Sequence, residues 1–192
     1  IVSGHSLVAD ASIGIALAPT DSKHMDVLLK YADLAMYSAK ADGRGHCRFF
    51  DATMEDRLAA RSRMEFELRQ AIKYDNLKLF YQPIFRISDK HVTGFEALLR
   101  WPGANGEIIA PGDFVPLAEE TGLIEPIGKW VLRTACCEAV QWPGEIKVAV
   151  NVSPVQFRSG NLVEIVRDAL ACSGLAPTRL EIEITEAVLI ND

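Results

Sequence analysis

The sequence predicts an α/β protein, and three observations lead to this fold class. Short runs rich in Ile, Val and Phe alternate with longer stretches in which apolar residues recur at helical spacing. Apolar residues make up 49% of the 192 positions and charged residues 24%, an ordinary balance for a protein with a packed core. In the second half of the chain strand and helix alternate, which is the order typical of parallel sheets. Disordered, collagen-like and low-complexity classes are therefore excluded.

The first part of the chain has the pattern of strand, helix and strand. Ala11 to Ala18 alternates and is rich in Ile, and residues 19–22 supply a turn. From Met25 onward apolar residues form one helical stripe, and Gly43 predicts the end of that helix. Residues 47–50 predict a short strand.

A charged helix is predicted next, over residues 51–73. Good helix formers of both charge signs surround only a thin apolar stripe there. We place the domain boundary in this helix, which gives three segments: 1–50, a connecting helix over 51–73, and a second domain over 74–192.

The second domain begins with two predicted strands, 77–87 and 92–101, joined by a turn at 88–90. A short helix over 113–121 ends at Gly122, and a longer helix follows with a buried stripe of Ile127, Val131, Ala135, Ala139 and Trp142. The remaining elements are a strand over 147–152, a helix over 162–172 and a strand over 180–185. We expect parallel strands in this half, because strand and helix alternate.

Charge and cysteine usage exclude several functions. The formal net charge is −6, without blocks of like charge, which disfavours binding to nucleic acid polymers or anionic membranes. No apolar run approaches the ~18 residues of a membrane span. The cysteines lack metal-binding spacing, and we expect reduced core thiols of a cytoplasmic domain at Cys47, Cys136, Cys137 and Cys172.

Three predicted strands carry oxygen-bearing side chains on one face. The period of two places Glu96 and Arg100 together, turns Asn151 away from its neighbouring valines, and puts Glu181 and Glu183 on one face. Two carboxylates and an amide oxygen suit Mg²⁺ or Mn²⁺. An alternative remains open, in which each strand exposes a polar face as antiparallel strands do, and Glu96 and Arg100 form weak surface pairs.

Five ordered segments resemble the EAL family of bacterial cyclic di-GMP phosphodiesterases. They are Tyr81–Ile84, Gly94–Trp101, Phe114–Gly122, Asn151–Ser153 and Glu181–Glu186. The resemblance implies a TIM-like (β/α) barrel of EAL type, of which this chain would hold the N-terminal half over residues 74–192. It also implies metal-dependent hydrolysis of cyclic di-GMP to linear pGpG.

The resemblance implies roles for particular residues. Glu96, Asn151 and Glu183 would bind the catalytic Mg²⁺ or Mn²⁺, and Glu186 would steady a nearby loop. Gln82 and Arg100 would contact the dinucleotide, with the Arg100 guanidinium on a phosphate. Without the resemblance, Gln82 could equally be a strand-edge residue beside a proline.

The family pattern also includes a pair of aspartates, a lysine, a further glutamate and a glutamine downstream. The sequence ends at Asp192 before any of them. We therefore expect about half of a barrel of roughly 250 residues to be absent. We expect the 192-residue chain alone to be inactive and to associate through its last strand.

The first fifty residues resemble the C-terminal part of a GGDEF, or diguanylate cyclase, domain. The segments that carry this resemblance are residues 11–16, 32–40 and 43–44. In that family Lys40 and Arg44 would contact the phosphates of GTP, one helical turn apart and so on one face. A solvated basic face is the alternative, and Gly45 stands where the family usually has Asn.

Three functions follow from these resemblances. The leading hypothesis is a segment of a tandem GGDEF–EAL protein whose EAL half hydrolyses cyclic di-GMP. The others are a catalytically inactive cyclic di-GMP receptor module and a diguanylate cyclase with a regulatory EAL domain. The charged helix over 51–73 could take part in a homodimer.

Overall fold

The computed structural model describes residues 10–103 and 106–184. Its elements, in chain order, are β1 (Ile13–Ile15), α1 (Met25–Ala41), β2 (Cys47–Phe49), α2 (Thr53–Lys73), β3 (Lys78–Phe85), β4 (Val92–Pro102), β5 (Ile108–Ile109), α3 (Pro111–Glu120), α4 (Ile124–Ala139), β6 (Lys147–Val152), α5 (Pro154–Arg158), α6 (Leu162–Ser173), a 3₁₀ turn (Pro177–Arg179) and β7 (Leu180–Ile184). The chain divides into two compact units, Ile1–Arg63 and Met64–Asp192, with the division inside α2.

The first unit is built on a parallel pair of strands, β1 and β2, with α1 packed against them. A Cβ at Gly14 would collide with the Ala32 carbonyl oxygen of α1, so only glycine permits this close approach. Ala35 and Ala39 are fully buried on the same helix. The Tyr31 and Phe50 rings stack with centroids 3.8 Å apart. Small residues therefore set how closely helix and strand approach.

The helix α1 ends at Ala41, two residues before Gly43. Gly43 and Arg44 both have positive φ, 108° and 64°. The Arg44 amide donates a hydrogen bond to the Ala39 carbonyl at 3.1 Å, which closes the end of the helix. The chain therefore turns away from the helix axis before it reaches Arg44.

The second unit contains a mixed sheet in the order β3-β4-β6-β7, with β5 paired to β4. The pairs β4–β6 and β6–β7 are parallel, as expected, whereas β3 and β4 are antiparallel. The expectation of parallel strands throughout this half is therefore wrong for β3. The reason is the short turn over residues 86–91, which returns the chain directly, whereas a parallel pair needs a long crossover.

One face of this sheet packs against helices and forms the core. The largest fully buried side chains there include Phe114 of α3, Ile127 and Leu132 of α4, and Val148 and Val150 of β6. Trp142, which the sequence places at the end of the α4 stripe, lies beyond the helix. Pro143 follows it directly and cannot continue the helical turn. The Trp142 ring still packs edge-on against the sheet, 5.1 Å from the ring of Tyr81 and 5.0 Å from that of Phe95.

A buried cation connects the end of α4 to the last strand. Arg179 is 9% exposed, and its guanidinium donates to three backbone carbonyls: Ile146 at 2.9 Å, Ala139 at 2.7 Å and Trp142 at 3.4 Å. Two of these carbonyls belong to the C-terminal end of α4 and the turn after it, where free carbonyls and the helix dipole favour a positive charge.

The expectation of four core thiols is wrong for three of them. Cys136 is buried, whereas Cys47, Cys137 and Cys172 are exposed, and all four are free. Cys137 follows Cys136 on α4, and successive helical residues point about 100° apart, so the two thiols cannot both face the core.

The longest described helix, α2, has 21 residues and carries charges of both signs. No helix in the described ranges is long and apolar enough to cross a membrane. The homodimer expected through α2 stays a prediction.

Candidate functional site

The sheet face opposite the helices carries the polar side chains predicted from the sequence. Gln82 of β3 lies directly opposite Glu96 of β4. Asn151 of β6 pairs in register with Glu183 of β7, and Ala149, two residues before Asn151, pairs with Glu96. Because residues in register and residues two apart share a face, these four polar residues line one side of the sheet.

Glu96 and Asn151 are in direct contact. The Asn151 side-chain Nδ2 donates a hydrogen bond to Glu96 Oε1 at 2.8 Å. This bond fixes the orientation of the amide and leaves its oxygen as an acceptor beside the carboxylate. The bond gives Glu96 a partner other than Arg100, whereas the alternative of an exposed polar face on each strand stays open.

Glu183 stands next to this pair in an unfavourable electrostatic environment. Partial loss of hydration raises the pKa of Glu183, although the residue is exposed, and the negative charges of Glu96 and then Glu181 raise it further. Neighbouring carboxylates repel each other unless a cation or a proton lies between them. A positive charge at this position would therefore lower the electrostatic repulsion between the carboxylates.

The donor set fits a hard divalent cation. Within the described ranges, no cluster of three or more His, Cys, Asp or Glu side chains is placed to hold a metal ion. The candidate set consists instead of two carboxylates and one amide oxygen, from Glu96, Glu183 and Asn151. Oxygen donors are those that Mg²⁺ and Mn²⁺ prefer, and the repulsion acting on Glu183 is what such an ion would relieve.

Arg100 lies on the same face as Glu96, near the carboxyl end of β4. Its Nη1 donates to the Leu99 carbonyl at 2.8 Å, and its guanidinium carbon lies 5.8 Å from the ring centre of Phe80. The Phe80 ring is 48% exposed. The remaining guanidinium N–H groups are available to an anionic ligand, since one carbonyl takes only part of their donor capacity.

Three other predicted site residues have different outcomes. Glu186 lies outside the described residues. Lys40 is exposed in the last turn of α1, but Arg44 lies beyond the helix with a φ of 64°. The expectation that Lys40 and Arg44 share a helical face is therefore wrong, because the helix ends between them.

The sequence interpretation missed the turn that follows Asn151. Ser153 begins α5 with a capping box: its hydroxyl accepts from the Gln156 amide at 3.3 Å, and its own amide donates to Gln156 Oε1 at 3.2 Å. The Ser-x-x-Gln spacing was a readable signal of such a cap. Gln156 is buried against Gly128 of α4, a contact that no local pattern indicates.

Comparison with protein families gives two matches. The family described as EAL domain matches residues 65–192, about two thirds of the chain. The family described as diguanylate cyclase, GGDEF domain, matches residues 2–46. These matches confirm both resemblances seen in the sequence.

Curated relatives match nearly the whole of this chain. The bifunctional diguanylate cyclase/cyclic di-GMP phosphodiesterase MucR of Pseudomonas aeruginosa is 41% identical over 100% of the chain and 28% of its own length. The cyclic di-GMP phosphodiesterase NbdA of the same organism is 39% identical over 98% of the chain and 25% of its own length. The chain spans about a quarter of the length of the curated relatives it matches.

Solved structures show the same fold. The chain resembles the PaMucR phosphodiesterase in complex with c-di-GMP at a TM-score of 0.65 and 41% identity, covering 68% of this chain and 54% of the other. It also resembles the FimX EAL domain of Pseudomonas aeruginosa bound to c-di-GMP at a TM-score of 0.59 and 28% identity, covering 65% and 51%. These likenesses confirm the predicted α/β fold of EAL type.

Proposed function

Because this chain belongs to the EAL-domain family, we propose that its second unit hydrolyses cyclic di-GMP to linear pGpG within the whole protein. The observation that carries the proposal is the set of Glu96, Asn151 and Glu183 on three neighbouring strands, with Asn151 bonded to Glu96. Relatives named as cyclic di-GMP phosphodiesterases support the choice of substrate.

Glu96, Asn151 and Glu183 would hold Mg²⁺ or Mn²⁺, which when bound supplies a Lewis acid and activates water for attack on the phosphodiester. Asn151 orients Glu96 through its Nδ2 hydrogen bond and presents its own oxygen to the same space. Glu183 adds a second carboxylate from the adjacent strand. The three residues thus offer oxygen donors from rigid strand backbones rather than from loops.

Arg100 and Gln82 would bind the dinucleotide. A planar guanidinium offers paired N–H donors that match the oxygens of a phosphate, and the Phe80 ring supports that plane from one side. Gln82 stands opposite Glu96, so its amide can donate to or accept from a ligand held at the carboxylates.

We propose that residues 1–50 are the C-terminal part of a GGDEF domain, 51–73 a connecting helix, and 74–192 the N-terminal half of an EAL domain. Lys40 and Arg44 would face the GTP phosphates of the GGDEF domain in the whole protein, as separate contacts from the helix end and the turn beyond it. The free thiols and a nucleotide substrate agree with a cytoplasmic location.

The test is turnover of cyclic di-GMP by the full-length protein with Mg²⁺ or Mn²⁺. Glu96→Gln should lower turnover at least about 100-fold while the fold is kept, because an amide cannot neutralise cation charge as a carboxylate does. Glu164→Gln is the matched control, since Glu164 is exposed in the first turn of α6 and does not lie on a strand of the site. Equal turnover by Glu96→Gln and the unaltered protein would refute the assignment. If the unaltered protein binds cyclic di-GMP tightly but does not hydrolyse it, the result would favour the alternative of a catalytically inactive receptor module.

A further inference from the structure

We propose that Gln156 is a positioning residue: seated on Gly128 of α4, it holds the turn after β6 and thereby fixes Asn151 within the oxygen donor set. This inference rests on the proposed function, because that function gives Asn151 its role as a metal ligand.

The first step is that Gln156 makes two hydrogen bonds to Ser153, the residue at which the turn begins. Its Oε1 accepts from the Ser153 amide at 3.2 Å, and its own amide donates to the Ser153 hydroxyl at 3.3 Å. Ser153 follows Asn151 by two residues, with only the buried Val152 between them. Through the bond to Oε1, the side chain of Gln156 holds the Ser153 backbone at the point where the chain leaves β6.

The second step is that Gln156 is itself held by the core. It is 5% exposed, and it and Arg179 are the buried polar side chains among the described residues. An added Cβ at Gly128 would overlap Gln156 Nε2 and lie 2.7 Å from its Cδ. The absence of a side chain at Gly128 thus lets the Gln156 amide pack against α4, and this helix supports the turn.

The third step links the turn to the site. Asn151 contacts Glu96 through a single hydrogen bond of 2.8 Å, and its register with Glu183 depends on the last residues of β6. A small shift of this strand end would move the Asn151 amide away from both carboxylates. Groups that orient a ligand residue typically change metal affinity by about 10–100-fold when they are removed.

The experiment measures Mn²⁺ binding to the full-length protein without substrate, alongside thermal unfolding and turnover of cyclic di-GMP. Gln156→Met keeps most of the volume and the backbone bond to the Ser153 hydroxyl, but it loses the bond from the Ser153 amide to Oε1. We expect the Mn²⁺ concentration at half-saturation to rise about tenfold. Gln156→Glu keeps the acceptor in a standard Ser-x-x-Glu cap, so half-saturation should stay within about threefold of the original.

Gly128→Ala tests the contact between Gly128 and Gln156 by changing the helix residue. Alanine is the better helix former, so loss of Mn²⁺ affinity in this variant cannot be attributed to a weaker helix. We expect Gly128→Ala to lower the Mn²⁺ affinity about tenfold. In a protein that already carries Gln156→Ala, adding Gly128→Ala should lower the affinity no further, since the methyl group then has room. Gly112→Ala in α3 is the control, because an added Cβ there meets nothing within 4 Å.

Unchanged half-saturation in Gln156→Met, with the unaltered protein binding Mn²⁺, would overturn the positioning role and leave the proposed function intact. A lower melting temperature with unchanged half-saturation would do the same, because it would show a purely structural role. Failure of the unaltered protein to bind Mn²⁺ would overturn both proposals, whereas Mn²⁺ binding without turnover of cyclic di-GMP would overturn the proposed function alone.

Discussion

Replacing Arg179 by methionine removes the buried cation that ties the end of α4 to the start of β7. The guanidinium makes two hydrogen bonds of ordinary length, to Ile146 at 2.9 Å and to Ala139 at 2.7 Å, and a longer one to Trp142 at 3.4 Å. Methionine fills much of the same space, so the change isolates the loss of these bonds from the loss of packing.

The size of the effect follows from these contacts. Hydrogen bonds to a charged donor contribute about 1.5–3 kcal/mol each, so the two short bonds are worth about 3–6 kcal/mol before desolvation is counted. Burying the guanidinium offsets part of this gain, and the Ala139 carbonyl keeps its hydrogen bond from the Trp142 amide at 3.0 Å when the guanidinium is gone. We therefore expect Arg179→Met to lower the free energy of unfolding by about 3 kcal/mol.

Urea unfolding followed by tryptophan fluorescence measures this loss. All three tryptophans of the sequence, Trp101, Trp130 and Trp142, lie in the second unit, so the signal reports on that unit. Arg158→Met is the matched control: Arg158 is exposed and donates one bond of 3.3 Å to the Pro154 carbonyl, and its loss should cost less than about 0.5 kcal/mol. A loss below about 1 kcal/mol for Arg179→Met would refute the reasoning.

Two further predictions concern Tyr81 and Arg100. The Tyr81 hydroxyl is buried without a hydrogen-bond partner in the described part of the chain, and burial, with a smaller contribution from Glu138, raises the pKa of Tyr81. The folded protein then keeps this proton to higher pH than the unfolded chain does, so the free energy of unfolding should fall as pH rises above about 10. Tyr81→Phe should remove that fall. The measurement is urea unfolding of both proteins at pH 8 and at pH 10.5, roughly half a unit above the ordinary pKa of tyrosine. An identical pH dependence in the two proteins would contradict the prediction. Arg100→Ala should weaken binding of a non-hydrolysable cyclic di-GMP analogue about tenfold while Mn²⁺ binding changes little, and equal affinity in calorimetry would exclude the phosphate contact.

The faces of the strands could be predicted from the sequence because they depend only on local spacing. The period of two placed Glu96 and Arg100 on one face of their strand and turned Asn151 and Glu183 away from the apolar residues of theirs. The register that puts Asn151 beside Glu183 was not predicted. The order of strands and helices was readable, because each element carries its own periodicity. The ligand roles of these residues stay predictions.

Other features depend on contacts between residues far apart in the chain, and no local pattern records them. Arg179 donates to a carbonyl 40 residues away, and Gln156 packs against Gly128 on another helix. The antiparallel course of β3, by contrast, was implied by the short turn predicted at 88–90, and it was missed because strand–helix alternation was applied to the whole half. The helical face expected for Lys40 and Arg44 was wrong because α1 ends at Ala41, close to the stop that Gly43 predicts, so Arg44 is not on the helix.

The β3–β4 hairpin divides the candidate site into parts that assemble at different stages of folding. Gln82 and Glu96 meet across a tight turn, so their pairing needs only local chain closure, which takes about 1–10 μs in hairpins. Asn151 lies 55 positions along the chain from Glu96, and Glu183 lies farther along still. Contacts of such long sequence separation form slowly, since the entropy of closing the loop must be overcome first. We therefore expect the Gln82–Glu96 edge of the candidate site to form before its full set of oxygen donors, with Glu96 in place before Asn151 and Glu183 reach it.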